Sequence, residues 1–150
     1  MTNTQELLNK LLVQLFNDIL HIEENSLKNI DLIDLSMTEI HTIEAIGIKD
    51  AKTMGEIAHD LRITVGTLTT AITKLIKKGY VERKRIEEDR RVVLIRLTHK
   101  GEKAFDSHAQ FHTDMIKSII QELPETEETV LITALKRMTN FFEEKYNLLG

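Results

Sequence analysis

The sequence predicts a mainly α-helical chain with one small β-hairpin, and three observations carry that expectation. Apolar residues recur at helical spacing through both ends of the chain, while there is a single proline and aromatic residues make up only 5%. The stretch T-V-G-T-L-T-T-A-I-T-K-L-I-K-K-G-Y-V-E-R-K-R-I-E-E-D-R-R-V-V-L-I-R-L-T, Thr64 to Thr98, changes at Gly79 from a helical pattern to two strands rich in β-branched residues. Charge also divides along the chain. Arg62 to Lys103 holds 12 Lys or Arg against 5 acidic residues, a net of +7, which leaves −11 for the remainder of a chain totalling −4. A short helix, a turn, a second helix and a basic hairpin, in that order, make a winged helix-turn-helix.

Composition bounds the rest. At 150 residues and 41% hydrophobic content there is material for one compact domain or two small lobes. No run of 18 apolar residues and no basic-then-apolar leader occurs, so a cytoplasmic protein without a membrane span is expected. Cysteine is absent, which removes disulfides, thiol redox chemistry and cysteine-based zinc sites.

Taken in order, Thr4 to about Leu27 reads as a long helix with two adjoining apolar stripes, among them Leu8, Leu12, Leu15, Phe16, Ile19 and Leu20. Such a helix needs cover on more than one side, and a second chain is the economical source. Asn29 to Leu35 is a connection with acids at Asp31 and Asp34. Ser36 with Glu39 forms a capping-box pattern that opens a helix ending near Gly47, and Thr53 with Glu56 opens a short one to Leu61. After the turn at Arg62 and Ile63, Thr64 caps a helix whose Leu68, Ile72, Leu75 and Ile76 share one face. The strands are Tyr80 to Ile86 and Val92 to Leu97, with Glu87 to Arg91 as a charged loop. Thr98 then caps a helix of about 25 residues ending before Pro124, with Ala104, Phe105, His108, Phe111 or His112, Met115, Ile119 and Leu123 inward. A final helix runs from Glu125 to about Leu148. The expected organisation is therefore a winged helix-turn-helix over residues 36–98, with residues 1–35 and 99–150 entwining around a second copy in a homodimer.

The outward face of the Thr64 helix carries Thr67, Thr70, Thr73 and Lys74, with Gly66 leaving its first turn without bulk. Short hydroxyls and a cation suit base edges and phosphates in a DNA major groove, and a cationic module on an acidic body is the electrostatic footprint of a nucleic-acid binder. Two such helices related by a dyad would read a palindrome at a spacing of roughly 34 Å. No nucleophile motif or Gly-rich phosphate loop occurs, so neither an enzyme nor a cofactor is expected.

The K-K-G-Y-V-E-R stretch, Lys77 to Arg83, and E-D-R-R-V-V-L-I-R-L-T-H-K-G, Glu88 to Gly101, resemble the MarR-type transcriptional regulators, and the likeness extends over nearly the whole chain. It implies a homodimeric repressor on double-stranded DNA. In its D-x-R wing motif, here Asp89 and Arg91, the arginine pairs with the aspartate and enters the minor groove, a role Arg90 could also fill. Arg83 joins the expected DNA-binding set.

Within that family, H-I-E-E-N-S-L from His21, M-T-E-I-H-T-I-E-A-I-G from Met37 and T-V-G-T-L-T-T-A-I from Thr64 look like the fatty-acid-synthesis repressors of Gram-positive bacteria. That resemblance implies an acyl chain, delivered by acyl carrier protein, in an apolar tunnel walled here by Phe16, Ile19, Leu20, Met37, Ile40, Phe105, Phe111 and Met115. It also implies that the acyl chain strengthens operator binding. A different feature points elsewhere. His108 and His112, at i and i+4, share one helix face about 6 Å apart, within reach of one zinc ion. Zinc-dependent repressors of the same family are similar in this respect, and the likeness implies an N3O site of Glu24, His41, His108 and His112. This chain has Ile40 and Ser107 where that subfamily often has further acidic ligands.

Overall fold

The computed structural model describes residues 1–29, 32 and 34–148. The elements run α1 (Asn3–Asn29), α2 (Met37–Ile46), β1 (Lys52–Thr53), α3 (Met54–Leu61), α4 (Val65–Lys78), β2 (Val81–Arg85), β3 (Val93–Leu97), α5 (His99–Gln121) and α6 (Glu125–Tyr146). The mainly helical fold with a small antiparallel sheet is the one the sequence predicts. Asp31 of the expected acidic connection lies outside the described residues.

One core holds the middle of the chain together. Ile40, Ile43 and Ile46 of α2 meet Ile57 of α3, Leu68, Ile72 and Leu75 of α4, and Ile95 and Leu97 of β3, all buried. Fully burying an Ile or Leu contributes about 1.5–3 kcal/mol, so this cluster fixes the mutual angle of α3 and α4. Thr53 and Glu56 form a complete capping box at α3. At α2 only half of one forms. Ser36 accepts from Glu39 N, but the Glu39 carboxylate is taken by Lys78 Nζ at 2.6 Å.

The sheet has the order β1-β3-β2, all antiparallel, with Val81 opposite Leu97 and Arg85 opposite Val93. The strand β1 has no counterpart in the sequence reading, because two residues are too few to show alternation; Lys52 pairs with Ile95 and Thr53 with Leu94.

Two glycines are required by geometry. Gly79 ends α4 in the left-handed region at φ 85°, where side chains with a β-carbon are disfavoured. Gly101 sits in the first turn of α5 against the Tyr80 backbone, where a β-carbon would stand 2.0 Å from the Tyr80 carbonyl oxygen. Thr98 secures the same junction, donating from N to Tyr80 O at 3.0 Å and from Oγ1 to Gly79 O at 2.6 Å.

The long helices are different. Only Glu23 and Leu27 of α1 are buried and none of α6, so Leu8, Leu11, Leu15, Phe16, Val130, Leu135 and Phe141 stand in solvent. On α5, Gly101, Ala104 and His108 are buried, but Ile119, expected inward, is exposed. Beyond Met115 that helix has left the core and its own chain does not cover it. The far end of α6 meets the turn after α3 through Arg62, whose Nη2 donates to Glu143 Oε1 at 2.7 Å. Arg62 itself lies in the left-handed region at φ 56° as the C-cap of α3.

Candidate nucleic-acid interface

The turn at Arg62 and Ile63 places α4 across α3 as the second helix of a helix-turn-helix. Thr64 caps α4 by accepting from Thr67 N at 3.1 Å. Leu68, Ala71, Ile72 and Leu75 are buried, which leaves Thr64, Gly66, Thr67, Thr70, Thr73 and Lys74 on the exposed side, as their spacing predicts. Two threonines in this helix are less available as donors than the sequence suggests. Thr69 and Thr73 give their hydroxyl hydrogens to the carbonyls of Val65 and Thr69, each at 2.8 Å. Thr73 can therefore only accept, and Arg83 Nη2 reaches its oxygen at 3.5 Å.

Ser36 and Thr38, at the start of α2, line one groove with Thr67, Thr70 and Lys74. The first backbone N–H groups of a helix favour an anion, but one of them is already taken by Ser36 Oγ and the Glu39 carboxylate lines the same groove. Sequence reasoning missed these two residues as surface partners of α4, although the Ser36 cap marked where α2 begins.

The wing is organised by Asp89. Arg91 donates to it from Nε at 3.0 Å, Nη2 at 3.1 Å and its backbone N at 3.1 Å. These hydrogen bonds, the side-chain ones foremost, hold the Asp89 carboxyl below its ordinary value. The Arg91 side chain is nevertheless 91% exposed, so the pair aims a guanidinium into solvent without tying it to the core. Arg85 Nη1 donates to Arg90 O at 2.8 Å, bracing the loop, and Arg90 is exposed.

The basic charge is not spread over one face. Lys78 is committed to Glu39 and the Asp34 carbonyl, Arg96 to Glu82, and Lys100 lies 4.2 Å from the Tyr80 ring centroid. Lys74, Lys77, Arg83, Lys84 and Arg90 remain exposed around α4 and the hairpin. Tyr80 is enclosed and donates to Asp34 Oδ1 at 2.8 Å; burial first, then Asp34, pushes its phenol well above the usual range.

Of the eight apolar residues expected to wall a tunnel, Ile40 is fully buried in the central core and Met37 and Phe105 pack against it. Ile19, Phe111 and Met115 are half-buried, while Phe16 and Leu20 are exposed.

Behind the interface, α1, α2 and α5 meet at a cluster of imidazoles and carboxylates. His108 and His112 come together as their spacing suggests and His41 joins them as the family likeness implies, but Glu24 is exposed. Its neighbour Glu23 is the buried carboxylate, with Oε1 at 3.6, 3.3 and 3.0 Å from Nε2 of His41, His108 and His112. Glu44 of α2 also enters, its Oε1 at 3.1 Å from His108 Nε2 and 3.5 Å from His112 Nε2. Burial pushes the Glu44 carboxyl up, but the His108 hydrogen bond and the charges of His108, His112 and His41 outweigh it and hold the group below its ordinary value.

A helix-turn-helix with an exposed polar recognition face and an arginine-tipped wing defines a DNA-binding protein. Residues 35–93 match the MarR family. The fold agrees with the crystal structure of Streptococcus pneumoniae FabT in complex with DNA at a TM-score of 0.89 and 38% identity, over 93% of this chain and 98% of that one. The HTH-type transcriptional regulator BilQ of Clostridium symbiosum is 31% identical over 105 residues, 69% of this chain and 72% of its own. AbsC, a MarR family regulator from Streptomyces coelicolor, shares the fold at a TM-score of 0.79 and 21% identity, over 96% of this chain and 97% of its own. The chain belongs to the MarR family of DNA-binding transcriptional regulators, and it is a regulator rather than an enzyme. Among the described residues no helix is long and apolar enough to cross a membrane.

Proposed function

We propose that the chain is a cytoplasmic, homodimeric repressor of fatty-acid-biosynthesis genes that binds a palindromic operator more tightly when an acyl chain, presented by acyl carrier protein, occupies it. The observation that carries this reading is the 38% identity to FabT across nearly the full length of both chains. Residues 36–98 form the DNA-binding lobe; α4 enters the major groove and Arg90 and Arg91 the minor groove. Residues 1–35 and 99–150 supply the dimer contacts. Each exposed Leu or Phe on α1 and α6 forgoes about 1.5–3 kcal/mol of burial, and a second chain laid along both helices recovers it.

The same arrangement supports an acyl site along this seam. Phe16 and Leu20 are exposed on α1 while Ile19, Phe111 and Met115 are half-covered, so a closed apolar tunnel forms only with a partner over α1. Ile40 and the half-buried Met37 and Phe105 form its inner limit. The test measures binding of the purified protein to promoter fragments of fatty-acid-synthesis genes, with and without long-chain acyl carrier protein. At least about a tenfold gain in affinity, or 1.4 kcal/mol, is expected. Unchanged affinity would remove the acyl chain from the mechanism, and failure to bind any DNA at low salt would remove the operator role as well.

A further inference from the structure

We propose that α4 reads its operator by apolar contact, with Val65, Thr69 and Thr73 as specificity-determining residues whose methyl groups meet the 5-methyl groups of thymines. The inference rests on the entry of α4 into the major groove given above and does not depend on the acyl chain. Val65 has no role in the DNA-binding set read from the sequence, and the structure gives it none in the core. It is 49% exposed, while Leu68, Ala71, Ile72 and Leu75 fill the buried side of the same helix. A β-branched residue at that position sacrifices helix propensity and keeps its methyls in water, so an apolar partner from outside accounts for it better than packing does.

The exposed side of α4 is divided lengthwise. Val65, Thr69 and Thr73 follow one another at intervals of four residues, so they form one ridge along the helix, and all three are exposed. Thr73 is met by Arg83 of β2, which puts this ridge on the wing side. Thr67, Thr70 and Lys74 lie toward α2 instead, where they share a groove with Ser36 and Thr38. Gly66 falls between the two edges, and a β-carbon added there would meet only Thr64 Oγ1, at 3.9 Å. A base edge can therefore come close to the helix beside Val65 and Thr69. These two residues belong to the first two turns of α4, the part of a recognition helix that reaches base edges.

Hydrogen bonding within the helix decides what the ridge can recognise. Thr69 donates to the Val65 carbonyl and Thr73 to the Thr69 carbonyl, each at 2.8 Å. A hydroxyl has a single hydrogen, so neither threonine can donate to a base. Each offers outward a methyl group and an oxygen that only accepts, and Val65 offers methyls alone. Guanine presents the acceptors N7 and O6 to the major groove and calls for donors, whereas thymine presents a methyl and calls for apolar contact. The ridge thus fits thymine and offers guanine no donor of its own. Direct hydrogen bonding to bases falls to the opposite edge, where Lys74 and the hydroxyl of Thr70 stand exposed.

The test begins by selecting duplexes from random-sequence DNA with the full chain. Each thymine of a selected duplex is then replaced in turn by deoxyuridine, which lacks only the 5-methyl group, and affinity is read by fluorescence anisotropy at several salt concentrations. A loss of about fourfold for each contacted methyl is expected, with the slope against log salt unchanged because no phosphate contact is removed. Thr69→Ser deletes a methyl and keeps the hydroxyl, and Val65→Ala shortens the ridge at its start; circular dichroism checks that both fold. Each should weaken binding to the thymine duplex and lose most of the preference for thymine over deoxyuridine at one position. Thr69→Val, which keeps methyl groups and removes the hydroxyl, should bind more tightly than Thr69→Ser. Equal wild-type affinity for thymine and deoxyuridine duplexes would overturn the proposal while leaving the operator role intact. The reverse order of the two Thr69 variants would assign the reading to the hydroxyl and overturn it as well. Failure to bind any duplex at low salt would overturn the operator reading itself, and the proposal with it.

Discussion

Replacing Gly101 by alanine should unseat α5 from the wing sheet. The new β-carbon would lie 2.0 Å from the Tyr80 carbonyl oxygen and 3.1 Å from both the Tyr80 carbonyl carbon and Leu97 Cβ, far inside the optimum of about 3.5–4.0 Å for non-bonded heavy atoms. Two of these obstacles are backbone, so the first turn of α5 must move by about 1 Å or more to approach that separation. That turn is pinned at Thr98 by hydrogen bonds to Tyr80 O and Gly79 O. Overpacking costs about 1–3 kcal/mol, and a strained or broken hydrogen bond adds about 1 kcal/mol. Alanine's helix propensity returns about 1 kcal/mol. The net is a destabilisation of about 1–3 kcal/mol, which lowers Tm by roughly 2–12 °C at about 2–4 °C per kcal/mol for a chain of this size. Gly66→Ala is the control. Its β-carbon would meet Thr64 Oγ1 at 3.9 Å and nothing nearer, so Tm should rise slightly while the added methyl on the exposed face of α4 weakens operator binding. Thermal and urea unfolding followed by circular dichroism read both. A Gly101→Ala protein that melts at or above the wild-type temperature would refute the close packing of α5 on the wing.

Arg91→Ala should weaken DNA binding strongly, make the slope of log affinity against log salt shallower by about 0.9 for each phosphate no longer neutralised, and leave Tm unchanged, because the side chain is almost wholly exposed; normal binding would remove the wing from the mechanism. The Arg91 hydrogen bonds hold the Asp89 carboxyl below its ordinary value, so the wing pair is intact above the ordinary aspartate value and comes apart as pH falls through the lower folded value. Carbon-detected NMR of the Asp89 carboxyl should show a midpoint below the ordinary one in wild type and a return toward it in Arg91→Ala. Tyr80→Phe deprives Asp34 of its donor and should cost about 0.5–1.5 kcal/mol by urea unfolding. In the wild type the raised Tyr80 pKa contributes stability below the ordinary phenol range and loses it only as pH rises through the folded value. Ultraviolet titration should find the Tyr80 phenol resisting ionisation at pH values where an unfolded tyrosine ionises.

The parts of this fold that are local in sequence were legible there. Thr64, Leu68, Ile72 and Gly79 mark one helix by cap, period and stop, and the β-branched strands flanking Glu87–Arg91 mark the hairpin. What was not legible depends on partners distant in the chain. The Glu39 carboxylate leaves its own cap for Lys78, and β1 exists only because β3 lies beside it. His108 and His112 could be paired from spacing and His41 added from the family likeness, but choosing between Glu23 and Glu24 required the rotation of α1 about its axis. Glu44, on the helix of His41, carried no signal in the motif at all. The charge count likewise placed positive residues in the right region without showing that Lys78, Arg96 and Lys100 are occupied within the protein.

The ion pair between Arg62 and Glu143 ties the far end of α6 to the residue that caps α3. A helix of 22 residues is roughly 33 Å long, so a tilt of about 5° at its origin displaces the far end by about 3 Å. That end grips the residue that caps α3 just before the recognition helix begins. A small rotation at the root of this rod would therefore reach the turn before α4 as a shift of ångströms. The position of the turn before α4 is thus tied to the tilt of a helix whose other end lies far from it.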